Sequence, residues 1–224
     1  MLQFEVAGET LVPLAERALW WPARRTLIAA DVHLGKAASF RKAGVPIPHG
    51  TTRTDLKRLT ALVDQWQATT LLIVGDLVHD KAGMTPETIS QIAAWRIRHG
   101  ALDWLCVMGN HDKKAGQLPA IWSIAPAGER LQIGPFVFRH HPEPDPSGYV
   151  IAGHIHPAVE LLEPGGGSMK AACFWFGREV AVLPAFGRFT GTALVRPRAG
   201  DGVFVVGGAG EIVQMPTDPR RVGT

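Results

Sequence analysis

Residues 69–76 read TTLLIVGD, a short apolar run that stops abruptly at a polar pair. Two other stretches have the same form, TLIAADVH at residues 26–33 and ALDWLCVMGNHD at residues 101–112. Runs of this length with a sharp polar end are typical of buried strands in a parallel sheet. The three stretches therefore predict a sheet whose polar residues collect at the carboxyl ends of its strands.

The segments between these runs have helical periodicity. Between the first and second runs, one apolar stripe recurs at intervals of three and four residues. The stripe consists of Leu56, Leu59, Leu62, Val63 and Trp66. Between the second and third runs, Thr85 can cap a helix with Pro86 in its first position, and Gly100 can end it. The alternation of strand and helix predicts right-handed crossovers that lay helices over a parallel sheet.

The second half of the chain has a different texture. From about residue 131, strand-like runs follow one another without helical segments between them; they are LQIGPFVFRH, GYVIAGHIH, CFWF, EVAVLP, TALVRP and GVFVVG. This pattern predicts a second, mostly antiparallel sheet. The expected fold is therefore α/β, a two-sheet β sandwich flanked by helices.

The composition fits one globular domain, since 46% of the 224 residues are hydrophobic and can form a substantial core. We expect this domain to span residues 1–215 and residues 216–224 to form a flexible C-terminal tail. Cys106 and Cys173 lie in apolar runs, which indicates buried thiols rather than a disulfide or a thiolate metal site. With no signal-like N-terminus and no apolar run long enough for a membrane span, we expect a protein of the reducing cytoplasm that does not associate with membranes.

Basic residues are concentrated early in the chain. Residues 17–58 hold nine lysines and arginines against two aspartates, a local charge of +7 in a chain whose total is +3. The nine are Arg17, Arg24, Arg25, Lys36, Arg41, Lys42, Arg53, Lys57 and Arg58. Such a concentration can attract phosphate groups, and it can equally be an ordinary solvated surface.

Residues that commonly bind metals occur at five expected strand ends. The candidate ligands are Asp31, His33, Asp76, Asn110, His140, His154 and His156. Because alternate residues of an extended segment point the same way, DVH and GHIH can each present two side chains to one cleft. Carboxylate, imidazole and amide groups without thiolates suit Mn, Fe or Zn, and seven such ligands suit two ions that share one carboxylate.

The order D-x-H, G-D, G-N-H-D, an isolated His and G-H-x-H resembles the calcineurin-like metallophosphoesterase superfamily. Over roughly residues 10–195 the chain is similar to the bacterial ligase-associated DNA damage response endonuclease (PdeM-like) family, through ADVHLGKAASFRKAGVPIP, GDLVHD, HHP, CFWF and LPAFGRFTG. In one respect the sequence departs from that family: His141 stands where an acidic residue is expected before the proline. His140 and His141 are therefore alternative ligands, of which we favour His140.

The resemblance implies a phosphoesterase with two divalent ions, Mn²⁺ in preference to Fe or Zn. It implies that one ion is held by Asp31, His33, Asp76 and His156, and the other by Asp76, Asn110, His140 and His154. His111 would be the general acid or charge stabiliser at the leaving oxygen, and Asp112 would orient His111.

The same resemblance, together with the basic segment, indicates a nucleic-acid substrate, with DNA favoured, and a role in DNA repair. Candidate substrate-binding residues are Lys36, Arg41, Lys42, His79 and Lys113. Gly187 and Gly191 predict a tight loop packed near the site. The family further implies a functional association with an ATP-dependent DNA ligase, a DEXH-box helicase and a β-CASP exonuclease.

Three other functions compete with this one. A serine/threonine phosphatase of the superfamily would read G-D-x-x-D-R-G and G-N-H-E, whereas this chain reads GDLVHDK and GNHD. A phosphodiesterase acting on cyclic nucleotides or nucleotide pyrophosphates would use the same ligands and stays open. A scaffold without metal would have no reason to keep every ligand and His111.

Overall fold

The computed structural model describes residues 2–162, 165–208 and 210–217. Within these residues, sixteen strands form two sheets, and four α-helices and two short 3-10 turns connect them. From residue 218 onward, the predicted C-terminal tail lies outside the described residues. None of the described helices is long and apolar enough to cross a membrane.

The first sheet contains the three apolar runs. Its strands are β1 (Phe4–Val6), β2 (Glu9–Pro13), β3 (Leu19–Trp21), β4 (Thr26–Ala29), β5 (Thr70–Val74), β6 (Asp103–Val107) and β7 (Ala125–Pro126), arranged in chain order. The strands from β4 to β7 are parallel, which confirms the prediction for these runs. The strands from β1 to β4 form an antiparallel meander that the runs do not predict.

Four helices connect these strands. They are α1 (Lys36–Lys42), α2 (Thr51–Trp66), α3 (Pro86–Arg98) and α4 (Asn110–Ala115). The predicted cap of α3 is confirmed, since Thr85 Oγ1 accepts a hydrogen bond from the Thr88 amide at 3.2 Å. The short helix α1, seven residues long, carries no apolar stripe that would have predicted it.

The second sheet is built from the second half of the chain. Its strands are β8 (Arg130–Ile133), β9 (Phe136–Arg139), β10 (Tyr149–Ala152), β11 (Pro157–Leu162), β12 (Ser168–Phe176), β13 (Val180–Val182), β14 (Ala193–Leu194), β15 (Gly202–Val206) and β16 (Ile212–Met215). Five of the eight strand pairings described are antiparallel, as predicted. However, β10 runs parallel to both β9 and β13, so the carboxyl ends of these three strands meet at one edge.

Alternate residues of the central strands face opposite layers. Leu27 and Leu71 pack with α2 and α3, whereas Ile28 and Leu72 pack against the second sheet. This confirms the sandwich with helices outside the first sheet. Directly after β4, Ala30 pairs with Ala185, which follows β13, so the two sheets are joined at the edge where the polar residues collect.

Candidate metal centre

The predicted ligands lie together at that edge. Each follows a strand: Asp31 and His33 follow β4, Asp76 follows β5, Asn110 follows β6, His140 follows β9, and His154 and His156 follow β10. Several groups of three, including Asp31 with Asp76 and His140, bring ligand atoms within 4.8 Å of one another. The convergence predicted from the five strand ends is thus present in the structure.

The backbone conformation that brings the ligands to this edge differs from the one expected from the sequence. DVH and GHIH are not extended, because Asp31, His33, His154 and His156 have φ values of 53°, 50°, 72° and 54°. Asp76, with φ of 52°, is also left-handed. A non-glycine residue in this region costs about 1–3 kcal/mol when the surroundings impose it. The expected alternation along extended segments is therefore wrong, and left-handed turns at the strand ends direct these side chains.

Three motif glycines provide the room that the ligands occupy. A Cβ atom on Gly109 would lie 2.1 Å from Asp76 Oδ1, and one on Gly153 would lie 2.4 Å from Asp31 Oδ2. A Cβ atom on Gly75 would lie 2.1 Å from the His140 ring, and its φ of 79° disfavours any side chain. Each glycine is thus needed because a ligand packs directly on its backbone.

Four side chains form the first group of ligand atoms. Asp31 Oδ1 lies 3.4 Å from His156 Nε2, and His33 Nε2 lies 3.9 Å from Asp76 Oδ2. His156 Nδ1 donates a hydrogen bond to the Gly191 carbonyl at 3.0 Å, which leaves His156 Nε2 as the atom facing the carboxylate. This is the ring orientation that a hydrogen bond to the second nitrogen gives a ligating histidine.

The remaining carboxylate oxygens are held by main-chain amides. The His154 amide donates to Asp31 Oδ2 at 2.9 Å, and the His111 amide donates to Asp76 Oδ1 at 2.8 Å. One oxygen of each carboxylate is therefore fixed, and the other is directed into the cluster. Such hydrogen bonds also favour the ionised form of a carboxylate.

The second group gathers around His140 Nε2. Asn110 Oδ1 lies 2.9 Å from this nitrogen, His154 Nδ1 lies 3.1 Å from it, and Asp76 Oδ2 lies 3.3 Å from it. Donor atoms at metal-bonding distances of about 2.1 Å around one ion are separated by about 3 Å when they occupy adjacent positions. Asp76 contributes to both groups, so the arrangement matches two neighbouring sites with a shared carboxylate.

Buried polar atoms without partners are concentrated in this cluster. Among the described residues, four such side-chain atoms occur, and three of them are Asp31 Oδ1, His33 Nε2 and His140 Nδ1. Burying a polar atom without a hydrogen bond is costly, and each such atom in a native protein calls for an explanation. A bound cation explains the carboxylate oxygen and the His33 nitrogen together, because both are metal ligand atoms.

The protonation of the histidines agrees with this explanation. Burial lowers the pKa of His33 to about 2, so His33 is the neutral imidazole that metals require. Burial would also lower the pKa values of His140 and His156, but hydrogen bonds and charge from Asp76 and Asp31, respectively, raise both above their ordinary value. The two carboxylates thus draw positive charge toward the cluster, and a divalent cation would supply it. The donor set fits a divalent metal centre.

His140 and His141 differ in burial and in the side chains that they contact. The His140 residue is 2% exposed and lies against Asp76 and Asn110. His141 is exposed, its ring is tilted against that of His154 with 4.2 Å between centroids, and it also brings a ligand atom within 4.8 Å of His140 and His154. His140 is thus the one of the two that contacts Asp76 and Asn110, as the preferred prediction expects.

His111 lies beside the cluster with one nitrogen fixed. Its Nδ1 donates to the His79 carbonyl at 2.6 Å, and its ring stacks on His79 with 4.6 Å between centroids. His111 Nε2 is thereby left as the nitrogen available to a substrate. Burial lowers the pKa of His79 to about 4, and His79 Nδ1 lies 3.4 Å from His33 Nδ1, so His79 is a neutral wall of the site.

The orienting contact expected from Asp112 is not the one observed in the described structure. Asp112 is fully buried and accepts hydrogen bonds from the main-chain amides of Val78 and Gly109, at 3.0 and 2.9 Å. The partner of the His111 ring is the His79 carbonyl. Burial raises the pKa of Asp112 to about 6, although both amide hydrogen bonds oppose this shift. Asp112 thus joins the GD and GNHD loops rather than orienting the imidazole directly.

Comparison with known proteins agrees with this geometry. The calcineurin-like phosphoesterase family matches residues 24–142. The chain is also similar to the nuclease MPE of Pseudomonas putida, with 34% identity, a TM-score of 0.82, and coverage of 96% of this chain and 99% of that one. The chain belongs to the calcineurin-like phosphoesterase family. It is therefore a metal-dependent phosphoesterase, a hydrolase, as the motifs predict.

Two further comparisons concern a second solved structure and the curated proteins. The phosphoesterase Yfce of E. coli shares 14% identity with a TM-score of 0.39, over 86% of this chain and 99% of that one. Among curated proteins, none is similar enough to count as a match.

The predicted substrate-binding cations differ in their positions on this phosphoesterase. Lys36 is half-buried in a cleft that His33 also lines; burial lowers its pKa, and the charges of Asp31 and Asp76 partly offset that effect. The exposed Lys113 pairs instead with Glu129 at 2.7 Å. Lys36 alone of these two is directed toward the metal centre.

The basic segment 17–58 is divided among separate surfaces. Arg25 binds the Gln67 carbonyl before β4, at the opposite end of that strand from the metal centre. Arg41 donates to the Pro48 carbonyl at 3.2 Å, Lys42 is exposed at the end of α1, and Lys57 borders a groove between α2 and α3. The clustering of charge in sequence therefore does not become one charged surface in space.

The loop containing Gly187 and Gly191 is packed beside the phosphoesterase site, as predicted. The Gly187 amide donates to the Asp31 carbonyl at 3.1 Å, and a Cβ atom on Gly187 would lie 2.5 Å from the Val32 carbonyl oxygen. Between these glycines, Arg188 and Phe189 are exposed. These two residues are absent from the candidates predicted from the sequence, although a charged and an aromatic residue between loop-forming glycines are a recognisable signal.

Proposed function

We propose that the protein hydrolyses phosphodiester bonds of nucleic acids with two divalent metal ions. The observation that carries the proposal is the pair of ligand groups that share Asp76. The 34% identity to the nuclease MPE over nearly both whole chains supports nucleic acid as the substrate class.

In this proposal the ions are held by two overlapping ligand sets. The first set is Asp31, His33, Asp76 and His156, and the second is Asp76, Asn110, His140 and His154. Bound divalent ions would supply Lewis-acid activation of the phosphoryl group and of the attacking water. We propose Mn²⁺ as the native ion, because imidazole and carboxylate ligands without thiolates accept it well.

The protein side chains would manage the proton of the leaving group. With His111 Nδ1 bound to the His79 carbonyl, Nε2 can donate a proton or a hydrogen bond to the departing oxygen. Asp112 would act as a positioning residue, because it fixes the amides of Val78 and Gly109 on either side of the site. Lys36 and His79 would line the substrate path.

The remaining parts of the proposal concern cellular context. We propose DNA as the preferred nucleic acid and DNA repair as the setting, with functional association with an ATP-dependent DNA ligase, a DEXH-box helicase and a β-CASP exonuclease. A reducing compartment such as the cytoplasm suits two thiols that are buried and unpaired. Arg41, Lys42 and Lys113 would contribute long-range attraction for phosphates.

The deciding experiment incubates the purified protein and Mn²⁺ with single-stranded, duplex and hairpin DNA, RNA, 2′,3′-cyclic nucleotides and bis-p-nitrophenyl phosphate. Cleavage of polynucleotides at low enzyme concentration supports the proposal. Turnover of 2′,3′-cyclic nucleotides without cleavage of any polynucleotide would instead establish the small-molecule phosphodiesterase. An Asp76→Ala variant in parallel separates the activity from contaminating nucleases.

A further inference from the structure

A groove leads away from the metal centre along the loop after β13. Next to the centre it is lined by His33, Lys36 and Phe189, and farther along by Phe189 and Arg188. Beyond Arg188 it adjoins a cavity of about 380 Å³ whose charged lining residues are Glu16, Arg17, Arg58 and Arg188. We call this cavity the arginine pocket. Arg188 stands between the pocket and the metal centre.

Arg58 forms the anchored wall of the arginine pocket. Its guanidinium donates to Asp55 Oδ1 at 3.0 Å, to the Phe186 carbonyl at 2.8 Å and to the Glu16 carbonyl. Its plane also lies 4.1 Å from the centroid of the Phe186 ring. These contacts use Arg58 structurally and pair it with the buried Asp55, whose charge also acts on Arg17 and Arg188.

Arg17 and Arg188 have no comparable partners. In the part of the chain that the structure describes, neither side chain makes a hydrogen bond or an ion pair. Both arginines line the arginine pocket, so their side chains lie near each other. Arg17 is half-buried; burial and the charge of Arg188 lower its pKa, and the charge of Asp55 partly offsets them. Two neighbouring cations with unused donors repel each other, and a bound anion would relieve that repulsion.

The surroundings of the pocket favour an extended anionic polymer over an isolated small anion. Phe189 is 40% exposed and packs edge-on against Phe40 with 5.6 Å between centroids, which leaves aromatic surface along the groove. Charged grooves that carry exposed aromatic side chains are typical of surfaces that follow a nucleic-acid backbone. Neighbouring sections of the groove share Phe189 on the side of the metal centre and Arg188 on the side of the arginine pocket.

We propose that Arg17 and Arg188 bind a backbone phosphate of the polynucleotide whose scissile phosphate lies at the metal centre. This inference rests on the proposed function. Arginine suits the task because its planar group offers paired donors to phosphate oxygens. The subsite would hold substrates long enough to reach it and would be irrelevant to small diesters.

The test compares an Arg17→Asn, Arg188→Gln double variant with an Arg178→Gln control. Asparagine is chosen at position 17 because the backbone there is left-handed, with φ of 67°, a conformation that asparagine tolerates. Arg178 is exposed before β13, at the end of that strand opposite the metal centre, so its replacement removes charge without touching the groove.

Binding is measured by fluorescence anisotropy with a labelled oligonucleotide on Mn²⁺-loaded protein carrying His111→Ala to prevent cleavage. We expect the double variant to bind at least about 10-fold more weakly and its salt slope to flatten by about 0.7 to 0.9, the effect of losing one neutralised phosphate. With an intact His111, kcat/KM should fall about as much as affinity for the oligonucleotide. It should stay within about twofold for bis-p-nitrophenyl phosphate, which supplies no phosphate beyond the reacting one.

The outcomes separate the two proposals. If the wild type cleaves the oligonucleotide and the double variant matches it in affinity and salt slope, the subsite is refuted and the proposed function stands. If the wild type hydrolyses the small diester but neither binds nor cleaves oligonucleotides, both proposals fail. Should the double variant melt at lower temperature, Arg188→Gln alone gives the same test, because that exposed side chain has no described partner to lose.

Discussion

The strand-end cluster and the basic segment 17–58 are both conspicuous in the sequence, but only the residues of the cluster come together in the folded structure. In the cluster, the seven candidate ligands converge at one edge in two groups that share Asp76, and His79, His111 and His141 lie within reach of the same ligand atoms. In the basic segment, the cations spread over separate surfaces, and Arg25, Arg41 and Arg58 bind main-chain carbonyls. The metal centre is therefore marked by polar residues that the fold keeps buried or in left-handed backbone conformations at an energetic cost. A concentration of exposed charge in the sequence does not mark a site in the same way.

The largest expected effect removes the carboxylate that both ligand groups share. Asp76→Ala should lower turnover at least about 10,000-fold, a loss of about 5.4 kcal/mol in transition-state stabilisation, because both ions lose a ligand. Elemental analysis of purified protein should show both ions depleted. Asp64→Ala is the matched control, since Asp64 is 57% exposed on α2 and pairs with Arg98. One fully occupied ion in the Asp76 variant would contradict the shared-ligand arrangement.

A smaller effect is expected at His111, which lies beside the cluster without belonging to either ligand group. His111→Ala should keep its metal and lose roughly 100- to 10,000-fold in turnover on substrates with poor leaving groups, the range of general acid catalysis. The loss should shrink for nitrophenyl esters, whose leaving group needs no proton. Equal losses on both substrate types would show that His111 positions the substrate instead.

The cluster could be predicted from the sequence because each ligand directly follows an apolar run in the chain. TTLLIVGD specifies both a buried strand and the ligand at its end, and the parallel order of the strands then brings such ends together. The sequence did not predict the local backbone conformation of the ligands. Asp31, whose φ is left-handed, packs on Gly153 and accepts a hydrogen bond from the Gly187 amide, and both glycines are more than a hundred residues away in sequence.

Distant contacts also explain why motif spacing did not predict the partners of Asp112 or the spatial placement of the basic residues. Adjacent positions in GNHD suggested that Asp112 orients His111, but α4 turns the two side chains toward different partners. Likewise Arg188 lies far in sequence from Arg17, and the folded sandwich brings them to one pocket. Pairings of this kind depend on tertiary structure, which motif spacing does not contain.

An intermediate effect is expected where a glycine supports a ligand. Gly109 has φ and ψ of −93° and 179°, which alanine adopts without strain. In Gly109→Ala, however, the Cβ atom would lie 2.1 Å from Asp76 Oδ1, so the carboxylate must move. Mn²⁺ affinity and turnover should fall about 10- to 100-fold, as when a group supporting a ligand is removed. Gly100→Ala is the control, because its Cβ meets nothing closer than 3.5 Å. Wild-type Mn²⁺ affinity in the Gly109 variant, measured by titration, would show that the carboxylate position is not critical.

The smallest effect is expected from the exposed basic residues. Replacing Arg41, Lys42 and Lys57 together with alanine removes three positive charges, but these side chains lie outside the arginine pocket, and Lys57 borders a groove on another face. Their attraction for phosphates is screened over about 8 Å at physiological salt. We therefore expect oligonucleotide affinity to fall less than about threefold at that salt, and more at low salt where screening is weak. Anisotropy titrations should measure the triple variant beside the Arg17 and Arg188 double variant. A greater loss of oligonucleotide affinity in the triple variant would mean that the number of charges governs binding, rather than the placement of unpaired guanidinium groups along the groove.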